Sequence, residues 1–289
     1  MNRLALGTVQ FGLPYGIANQ AGQVSRAEAK AMLQLATANG IDTLDTAIAY
    51  GDSETCLGEV GTKGFKVVTK LPIVPDSCTD ISGWVAQQVN ASLLRLGLSE
   101  VYGLLLHRTD QLIGSKGAAL YQALQDLKSN GLVQKVGGSI YSPSELDAVM
   151  PHYRFDLVQA PFNLIDQRLH SSGWLQRLKD EGVEIHTRSA FLQGLLLMPQ
   201  ADIPSKFLLW GNLWQTWHTW LAAHAIPAVQ ASLAFPISFP EIDRVVIGAD
   251  NVIQLSKIIS ATKWPTDSLL PNLQCDDENL INPANWNQL

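Results

Sequence analysis

Residues 44–51 read LDTAIAYG and place a carboxylate, Asp45, and a phenol, Tyr50, directly after a short apolar segment. Two more polar side chains follow apolar runs in the same way: Lys70 comes after VVT and His107 after LLL. Each of these runs is typical of a β-strand. The carboxyl ends of parallel strands meet at one rim of an α/β barrel, which is the end that carries the active site in barrel enzymes. The four residues are therefore predicted to converge on one site.

Strand and helix patterns alternate along the rest of the chain. Eight βα units with apolar strands indicate a parallel sheet covered by helices. For 289 residues, closure into a (β/α)8 TIM barrel is the simplest arrangement, and an open doubly wound sheet is the alternative. The strands are predicted at residues 3–8, 43–45, 66–70, 101–107, 133–139, 155–159, 183–187 and 245–247, and the helices at 25–39, 53–61, 79–96, 117–130, from 142, 173–180, 227–235 and 251–261.

Two stretches depart from this alternation. Residues 205–224 carry Trp210, Trp214 and Trp217, whose spacing places the three indoles on one face of a helix. We expect an extra helix after strand 7, with this stripe serving as packing surface rather than as a cofactor-binding face. The segment from residue 262 onward holds several prolines among polar residues. It is expected to form an irregular tail that either crosses the catalytic end or extends freely.

Composition excludes several classes of protein. Apolar residues make up 46% of the chain and charged residues 16%, which is not the composition of a disordered protein. A formal net charge of −6 without a basic cluster argues against a nucleic-acid partner. Cys56, Cys78 and Cys275 are scattered and suit a reducing compartment. With no signal-peptide pattern and no apolar run long enough for a membrane span, a cytoplasmic protein without a membrane partner is expected.

The four rim residues suit proton transfer to a carbonyl oxygen. Hydride addition to a carbonyl leaves an alkoxide that must take up a proton, and a phenol with a pKa of about 10 releases its proton reluctantly. Lys70 beside Tyr50 would stabilise the phenolate, and Asp45 would keep Lys70 in place and charged. His107 would donate a hydrogen bond to the carbonyl oxygen.

The chain resembles the aldo-keto reductase superfamily over nearly its whole length. The matching motifs are DTAxxYGxSExxLG at 45–58, Lys70, His107, LGT at 6–8, GGS at 137–139, Gln159, GLL at 194–196 and IGA at 247–249. The resemblance implies one barrel domain spanning residues 1–289, with a tail at 262–289. It also implies NAD(P)H-dependent reduction of an aldehyde or ketone, such as a sugar or small aldehyde, by a monomer. The roles given above to Tyr50, Lys70, Asp45 and His107 are those of the family.

The same resemblance implies a dinucleotide site across the barrel mouth that needs no Gly-Xaa-Gly-Xaa-Xaa-Gly motif. Ser139 and Gln159 would hold the nicotinamide carboxamide. Ser189 and the backbone of 191–194, including Gly194, would lie near the pyrophosphate. The residues expected near the adenosine ribose are Gly248, Ala249 and Gln254. NADPH is the form that the family resemblance favours.

Three positions depart from the family pattern. Ile140 stands where the family usually has an asparagine, and it cannot hydrogen-bond the carboxamide. Arg188 stands where an aromatic residue usually stacks on the nicotinamide; its guanidinium could stack there or bind the pyrophosphate, so Arg188 is kept as a cofactor contact. Residues 248–254 contain no lysine or arginine for a 2′-phosphate, and Asp250 would repel one. NADH is therefore an open alternative.

Other functions and other site residues remain open at this stage. The barrel could keep a nucleotide site yet act as a sensor or interaction module with little turnover. Lys70 could instead form a Schiff base, although a nearby acid that keeps it cationic would blunt its nucleophilicity. The remaining histidines show no metal-ligand spacing, so no metal is expected. The substrate pocket could be walled by aromatic side chains, of which the candidates are Phe11, Tyr15, Trp264 and Trp286.

Overall fold

The computed structural model describes residues 2–262 and 270–289. Eight parallel strands form a closed barrel, in which each strand pairs with its neighbours in chain order and the eighth closes onto the first. The predicted (β/α)8 TIM barrel is confirmed, and the open doubly wound alternative is wrong. The strands are β1 (Leu4–Gly7), β2 (Thr43–Asp45), β3 (Lys66–Leu71), β4 (Val101–Leu106), β5 (Val133–Ser139), β6 (Leu157–Pro161), β7 (Glu184–Arg188) and β8 (Arg244–Ile247).

Helices connect the strands and pack their apolar faces against the outside of the barrel. Three short helices, α1, α7 and α12, were not expected, because four-residue turns carry too little periodicity to be recognised in a sequence. The helices are α1 (Val9–Gly12), α2 (Arg26–Ala38), α3 (Ser53–Val60), α4 (Ile81–Leu96), α5 (Gly117–Ser129), α6 (Pro143–Val149), α7 (Arg168–Ser171), α8 (Trp174–Asp180), α9 (Gly211–His224), α10 (Ala228–Ser238), α11 (Val252–Ala261) and α12 (Glu278–Ile281).

Capping residues set the helix ends where the sequence indicates them. Ser25 accepts a hydrogen bond from the Glu28 backbone amide at the start of α2. Ser142 and Glu145 form a reciprocal capping box at the start of α6. Gly97 adopts the left-handed conformation that ends α4. These local signals explain why most of the helix boundaries predicted from the sequence lie within two residues of the observed ones.

The barrel interior has an apolar middle and two polar ends. Side chains at alternate positions of a strand share one side of the sheet, so Lys66, Val68 and Lys70 of β3 share a side at successive levels. Val68 belongs to a small buried cluster with Leu105 and Leu157 that is separate from the main core. Lys66 begins β3 at the amino-terminal end, whereas Lys70 lies near its carboxyl end. The same alternation along β5 and β7 supplies polar side chains to both ends.

A second buried cluster lies beside the barrel and contains the tryptophan stripe. Trp214 and Trp217 of α9 are fully buried, and their indole N–H groups donate to the carbonyls of Phe207 and Leu196. The predicted extra helix after strand 7 is confirmed, and its stripe is packing surface. The 3₁₀ segment Ser205–Trp210 precedes the helix, which therefore starts later than predicted.

The described part of the tail, residues 270–289, packs into this second cluster. Trp286 is buried against Phe207 with ring centroids 4.8 Å apart, and the Cys275 amide donates to the Ile165 carbonyl just beyond β6. The described part of the tail is therefore packed against the protein and does not extend freely. Trp264 lies outside the described residues.

Among the described residues, α11 is an apolar helix but a short one, and the other described helices can be compared with a membrane span in the same way. None of them alone combines the length and hydropathy of a membrane span. Segments 205–224 and 228–238 meet the length and composition criteria only when joined, and they are bent by 100° relative to each other.

Candidate active site

Lys70 and Asp45 form a buried ion pair at the carboxyl ends of β3 and β2. The Lys70 Nζ lies 2.8 Å from each Asp45 carboxylate oxygen and 2.8 Å from the Thr46 carbonyl oxygen. The Lys70 side chain is 1% exposed and that of Asp45 is 7% exposed. Since an ammonium carries three N–H donors, these acceptors fix Lys70 in a single position. The sequence anticipated the pair but not the contribution of the Thr46 backbone.

The electrostatics of this pair keep Lys70 charged. Burial alone would lower the pKa of Lys70, because a buried ammonium loses its hydration. The Asp45 carboxylate, Tyr50 and the hydrogen bond to Asp45 outweigh that effect and hold the pKa of Lys70 above its ordinary value. At neutral pH the side chain is therefore an ammonium. That state disfavours the Schiff-base chemistry considered above, which needs a neutral amine.

Tyr50 lies between Lys70 and His107 at the same end of the barrel. The Lys70 Nζ is 5.1 Å from the centroid of the Tyr50 ring, and the Tyr50 and His107 rings meet edge to face with centroids 5.8 Å apart. Tyr50 and His107 are both partly exposed, whereas Lys70 is buried beneath them. The four residues predicted to converge do lie together. A ligand at the mouth would meet the phenol and the imidazole before the ammonium.

A close backbone approach holds the loop that carries Tyr50. Gly12 at the end of α1 packs so tightly that an added Cβ would lie 1.8 Å from the Tyr50 carbonyl oxygen. Gly51 has φ of +53° and packs against the Gly12 carbonyl in turn. Both positions require glycine. Beyond the loop, the buried Ser53 hydroxyl donates to the Thr8 carbonyl and lies 3.0 Å from the Thr46 hydroxyl, which ties the start of α3 to β1 and β2.

His107 is a neutral imidazole at physiological pH. Burial, followed by the Lys70 and Arg188 cations, lowers the pKa of His107 from 6.5 to about 4. A neutral imidazole carries one N–H donor and one acceptor nitrogen. His107 follows β4 directly, and its backbone amide donates to the Leu71 carbonyl at the end of β3. This bond places the imidazole beside the Lys70 strand.

Ser139 ends β5, and Gln159, in the middle of β6, is its partner in the strand register, so these two predicted cofactor residues lie together. The Gln159 Nε2 donates to Asp45 Oδ1 at 2.7 Å, and its Oε1 is 3.5 Å from the Ser139 hydroxyl. Both side chains are buried. The bond from Gln159 to Asp45 was not anticipated; it links the predicted cofactor residues to the predicted catalytic ones. The carboxylate of Asp45 thus receives donors from two sides of the barrel.

Arg188 projects from the end of β7 and stacks on an aromatic ring that the sequence analysis did not single out. Its guanidinium carbon lies 4.6 Å from the centroid of the Tyr141 ring. The Arg188 Nη2 donates to the Ile140 carbonyl at 2.9 Å, and Nη1 donates to the Ser189 hydroxyl at 3.3 Å. Within residues 2–262 and 270–289 it makes no ion pair with a carboxylate. The Ile140 side chain is fully buried in the main core.

The segment after β7 has an unusual backbone. Ser189 has φ of 64° and Gly194 has φ of 93°, and the Ser189 carbonyl accepts a hydrogen bond from the Asn163 side chain. A Cβ at Gly194 would lie 2.5 Å from the Cβ of Ala18, so this turn packs against the long loop that follows α1. Ser189 and Gly194 therefore border the mouth on the β7 side, separate from the turn after β8.

The turn after β8 is already capped by acidic and amide side chains. Gly248 and Ala249 lie at the barrel end, and Gln254 is exposed on the first turn of α11. The Asp250 amide donates to Gln254 Oε1 at 2.9 Å, and the Val252 amide donates to Glu28 Oε1 at 2.5 Å. The side chain of Asn251 caps the amide of Gln254. Several backbone donors at this helix start are thus used within the chain.

The aromatic residues suggested as pocket walls have different roles. Phe11 is fully buried in the main core and Trp286 in the second cluster, so both are packing residues. Tyr15 is 42% exposed, and its hydroxyl accepts a hydrogen bond from Gln193 at 3.1 Å. It remains a candidate wall on the loop after α1. Within residues 2–262 and 270–289, no group of three or more His, Cys, Asp or Glu side chains is arranged to hold a metal.

Two site residues escaped the sequence analysis for different reasons. Tyr141 lies two residues beyond the last residue of β5, and only the fold brings it beneath Arg188. Gln10 lies in the short helix α1, where its buried amide approaches within 2.6 Å of the position a Gly248 Cβ would take. The Gln10 Oε1 has no hydrogen-bond partner among the described residues. The position of Gln10, two residues after the LGT motif at 6–8, was the signal in the sequence that could have identified it.

Comparison with known proteins supports the family resemblance. The model of the aldo/keto reductase family matches residues 3–268. A protein named aldo-keto reductase from Mycolicibacterium vanbaalenii is 32% identical over 133 residues, which cover 45% of this chain and 46% of that protein. A 6-dehydroglucose reductase from Agrobacterium fabrum is 29% identical over 203 residues, covering 63% of this chain and 67% of that enzyme. The chain thus spans about half the length of the first of these relatives.

Solved structures share the fold at lower sequence identity. The aldo-keto reductase AKR11C1 of Bacillus halodurans, in its holo form, superposes with a TM-score of 0.72 at 17% identity, covering 91% of this chain and 87% of that one. The structure of PA4992 from Pseudomonas aeruginosa gives a TM-score of 0.66 at 23% identity, covering 90% and 89%. These similarities support the barrel fold, and the family match extends over nearly the whole sequence. The chain therefore belongs to the aldo/keto reductase family of oxidoreductases.

Proposed function

We propose that this protein reduces an aldehyde or ketone to an alcohol with NAD(P)H, using Tyr50 as the proton donor. One observation carries the proposal. The Nζ of Lys70, which is buried in an ion pair with Asp45, lies 5.1 Å from the centroid of the half-buried Tyr50 ring, and the His107 ring meets the Tyr50 ring edge to face. A permanent cation beneath a phenol favours the phenolate and so eases proton release. This is what a general acid with an ordinary pKa near 10 requires at neutral pH.

Each residue has a distinct task in this scheme. Tyr50 gives its proton to the carbonyl oxygen as negative charge develops there. Lys70 stabilises the resulting phenolate, and Asp45 balances the lysine charge so that the cation can be buried. His107, neutral because its pKa is about 4, donates one hydrogen bond to the carbonyl oxygen without adding a second charge. The side chain of Gln159 orients Asp45 through the 2.7 Å hydrogen bond.

The residues around the mouth fit a dinucleotide. Members of the family generally use NAD(P)H, which supplies the hydride. The buried Gln10 amide oxygen lacks a partner among the described residues, and the missing side chain at Gly248 lets this amide approach the turn after β8 closely. Ser139 and Gln159 would hold the carboxamide, and Arg188 has unused N–H groups for the pyrophosphate. Ser189 and Gly194 would border the pyrophosphate, with Gly248, Ala249 and Gln254 beside the adenosine ribose.

The charge of the β8 turn favours NADH, although NADPH is what the family resemblance suggests. No lysine or arginine occurs between residues 248 and 254, and Asp250 and Glu28 bring two carboxylates to the turn. A 2′-phosphate would meet like charge there and find the amide of Val252 already bonded. The 2′-hydroxyl of NADH carries no such penalty.

The substrate class is proposed from the relatives and from the mouth. The 6-dehydroglucose reductase named above acts on an oxidised sugar, as its name states. A sugar aldehyde or a similarly small carbonyl compound is consistent with a mouth bordered by the Tyr15 hydroxyl and the Arg188 guanidinium. Both groups offer donors to hydroxyl-bearing substrates.

The test is a fluorescence titration with NADH and NADPH, followed by turnover of a panel of sugar and simple aldehydes. Binding of one dinucleotide and reduction of at least one aldehyde are expected. Tight binding without turnover on any carbonyl would instead favour a sensor or interaction module. Failure to bind either dinucleotide would contradict the proposal as a whole.

A further inference from the structure

A cavity of about 340 Å³ opens at the amino-terminal end of the barrel, the end opposite Tyr50. Its wall includes Lys66 and Arg244, which are the first residues of β3 and β8, and Lys179 of α8. A volume of this size is at the lower end of the range of small-molecule sites, about 300–1,000 Å³. Nothing in the proposed reduction uses this end of the molecule.

Charge at this cavity differs in sign from that of the chain. The whole chain has a formal net charge of −6. Among the described residues, the cations that line the cavity outnumber the carboxylates that line it or pair with its wall. The cations are Lys66, Lys135, Lys179 and Arg244, and the carboxylates are Glu184, Asp243 and Asp42.

The carboxylates here are already engaged. The Glu184 carboxylate accepts hydrogen bonds from the Tyr102 hydroxyl at 2.6 Å and from Lys135, and its other oxygen is 2.7 Å from His186 Nε2. Burial alone would raise the pKa of Glu184, but the hydrogen bonds from His186, Lys135 and Tyr102 outweigh it and hold that pKa well below its usual value. Glu184 is therefore ionised and neutralises Lys135.

The other two carboxylates are engaged as well. Both oxygens of Asp42 accept from Arg244 Nη2, at 3.0 and 3.1 Å. One oxygen of Asp243 accepts from the Ile185 amide at 2.8 Å, and the other lies 3.3 Å from the Lys179 ammonium. Arg244 is further bound to the Thr43 hydroxyl. These contacts fix the wall, and each of the three carboxylates described here has a partner within the protein.

Two ammonium groups keep spare donors. The nearest carboxylate oxygen to the Lys66 Nζ is Asp42 Oδ2 at 3.7 Å, and the Lys66 ammonium makes no hydrogen bond with the described residues. Lys179 has a single long bond, to Asp243. The two side chains are 44% and 43% exposed, so a solute can reach both. An ammonium is a compact charge that binds phosphate and carboxylate oxygens from solution.

We propose that this cavity binds a small multivalent anion, carrying phosphate or carboxylate groups, through Lys66 and Lys179. The rigid ion pairs of Lys135 and Arg244 form the wall, and the two lysines supply the donors that hold the ligand. The site is independent of the proposed carbonyl reduction, because it lies at the other end of the strands.

Isothermal titration of the full chain with inorganic phosphate and with citrate, at ionic strength matched with NaCl, tests the site. Saturable binding at millimolar concentrations is expected for at least one anion, and the stronger of the two identifies the ligand chemistry. The double variant Lys66→Ala/Lys179→Ala should weaken that binding about tenfold or more. The double variant Lys30→Ala/Lys257→Ala removes the same charge from exposed positions elsewhere and should leave the affinity unchanged.

Two results would overturn the proposal. Absence of saturable binding to both anions would show that the cavity walls serve only as ion pairs. Equal affinity in the wild type and in Lys66→Ala/Lys179→Ala would show that the anion binds elsewhere on the molecule. Because the substituted lysines are exposed, the variants are expected to fold, and circular dichroism with the unaltered NADH titration verifies this.

Discussion

The two ends of this barrel carry similar side chains under different constraints. At the carboxyl-terminal end, Lys70 is 1% exposed and has all three donors occupied. At the amino-terminal end, Lys66 begins the same strand. Its side chain is 44% exposed, and its ammonium has N–H donors that bind no described residue. Each lysine also lies near a tyrosine ring, Tyr50 at 5.1 Å and Tyr102 at 5.0 Å from the centroid. Identical residue types thus differ in role because one is enclosed and the other is not.

That difference is the reason for proposing chemistry at one end of the barrel and anion binding at the other. A buried, fully bonded ammonium presents a fixed field to the phenol above it, and such fixed charges are effective in stabilising developing negative charge. An exposed ammonium is screened by water and salt, so its energetic contribution is small. It remains free to exchange solvent for a solute anion.

The largest expected effect is on the rate of carbonyl reduction, and it should distinguish the two phenols. Tyr50→Phe should lower the rate of carbonyl reduction by about 10²–10⁴-fold, because it removes the hydroxyl that supplies the transferred proton. Tyr102→Phe deletes the same atom at the opposite end and should leave the rate near that of the wild type. Steady-state kinetics with the best aldehyde measures both variants, and NADH affinity serves as the folding control. Similar rates for the two variants would show that Tyr50 is not the acid.

The next effect distinguishes the two lysines by stability. Lys70→Met leaves the Asp45 carboxylate buried without its cation and should cost about 3–5 kcal/mol in free energy of unfolding. Lys66→Met should change that free energy by no more than about 0.5 kcal/mol, as exposed substitutions usually do. Urea denaturation at neutral pH measures both values. Equal losses would contradict the contrast between an enclosed and an exposed ammonium.

A smaller effect is expected on the preference between NADPH and NADH, which tests the proposed position of the adenosine ribose. Gln254→Arg should raise the ratio of NADPH to NADH affinity about tenfold, since one charge-assisted hydrogen bond is worth roughly 1.5–3 kcal/mol. Ser256→Arg adds the same charge to another exposed position of α11 and should leave the ratio unchanged. An unaltered ratio in Gln254→Arg would place the adenosine ribose elsewhere.

The smallest effect concerns the pH dependence of stability. His107 has a folded-state pKa of about 4, below its unfolded value of 6.5, so the unfolded chain takes up the proton first. Its contribution is present above pH 6.5 and is lost as the pH falls toward 4. From pH 7 to 5.5 the wild type should lose about 1 kcal/mol more than His107→Gln. Urea titrations at the two pH values measure this difference; parallel losses would mean that His107 is not held neutral.

The fold was largely predictable because its signals are local. Each apolar strand and most capped helices are marked by neighbouring residues, and eight such units leave few arrangements. The boundaries of β6 moved by two residues, from 155–159 to Leu157–Pro161, since Phe155 is buried in the core ahead of the strand and resembles a strand residue in composition.

The site was predictable only in part, because several of its contacts are long-range. Asp45, Lys70 and His107 each end or follow a strand, which is a local mark. The hydrogen bond from Gln159 to Asp45 joins residues 114 positions apart, and the stacking of Arg188 on Tyr141 depends on where β5 and β7 lie in the closed barrel. No pattern in the sequence signals these pairs. The cavity proposed to bind anions likewise depends on residues from five distant segments.

Strand parity limits how this protein can change. Deleting one residue from the middle of β3 would turn Lys66 or Lys70 toward the helices, because successive side chains point to opposite faces. A two-residue deletion would keep the facing but move one lysine to the level of Val68, inside the apolar layer. New specificity at either mouth is therefore accessible by substitution, whereas length changes are confined to the loops between strands and helices.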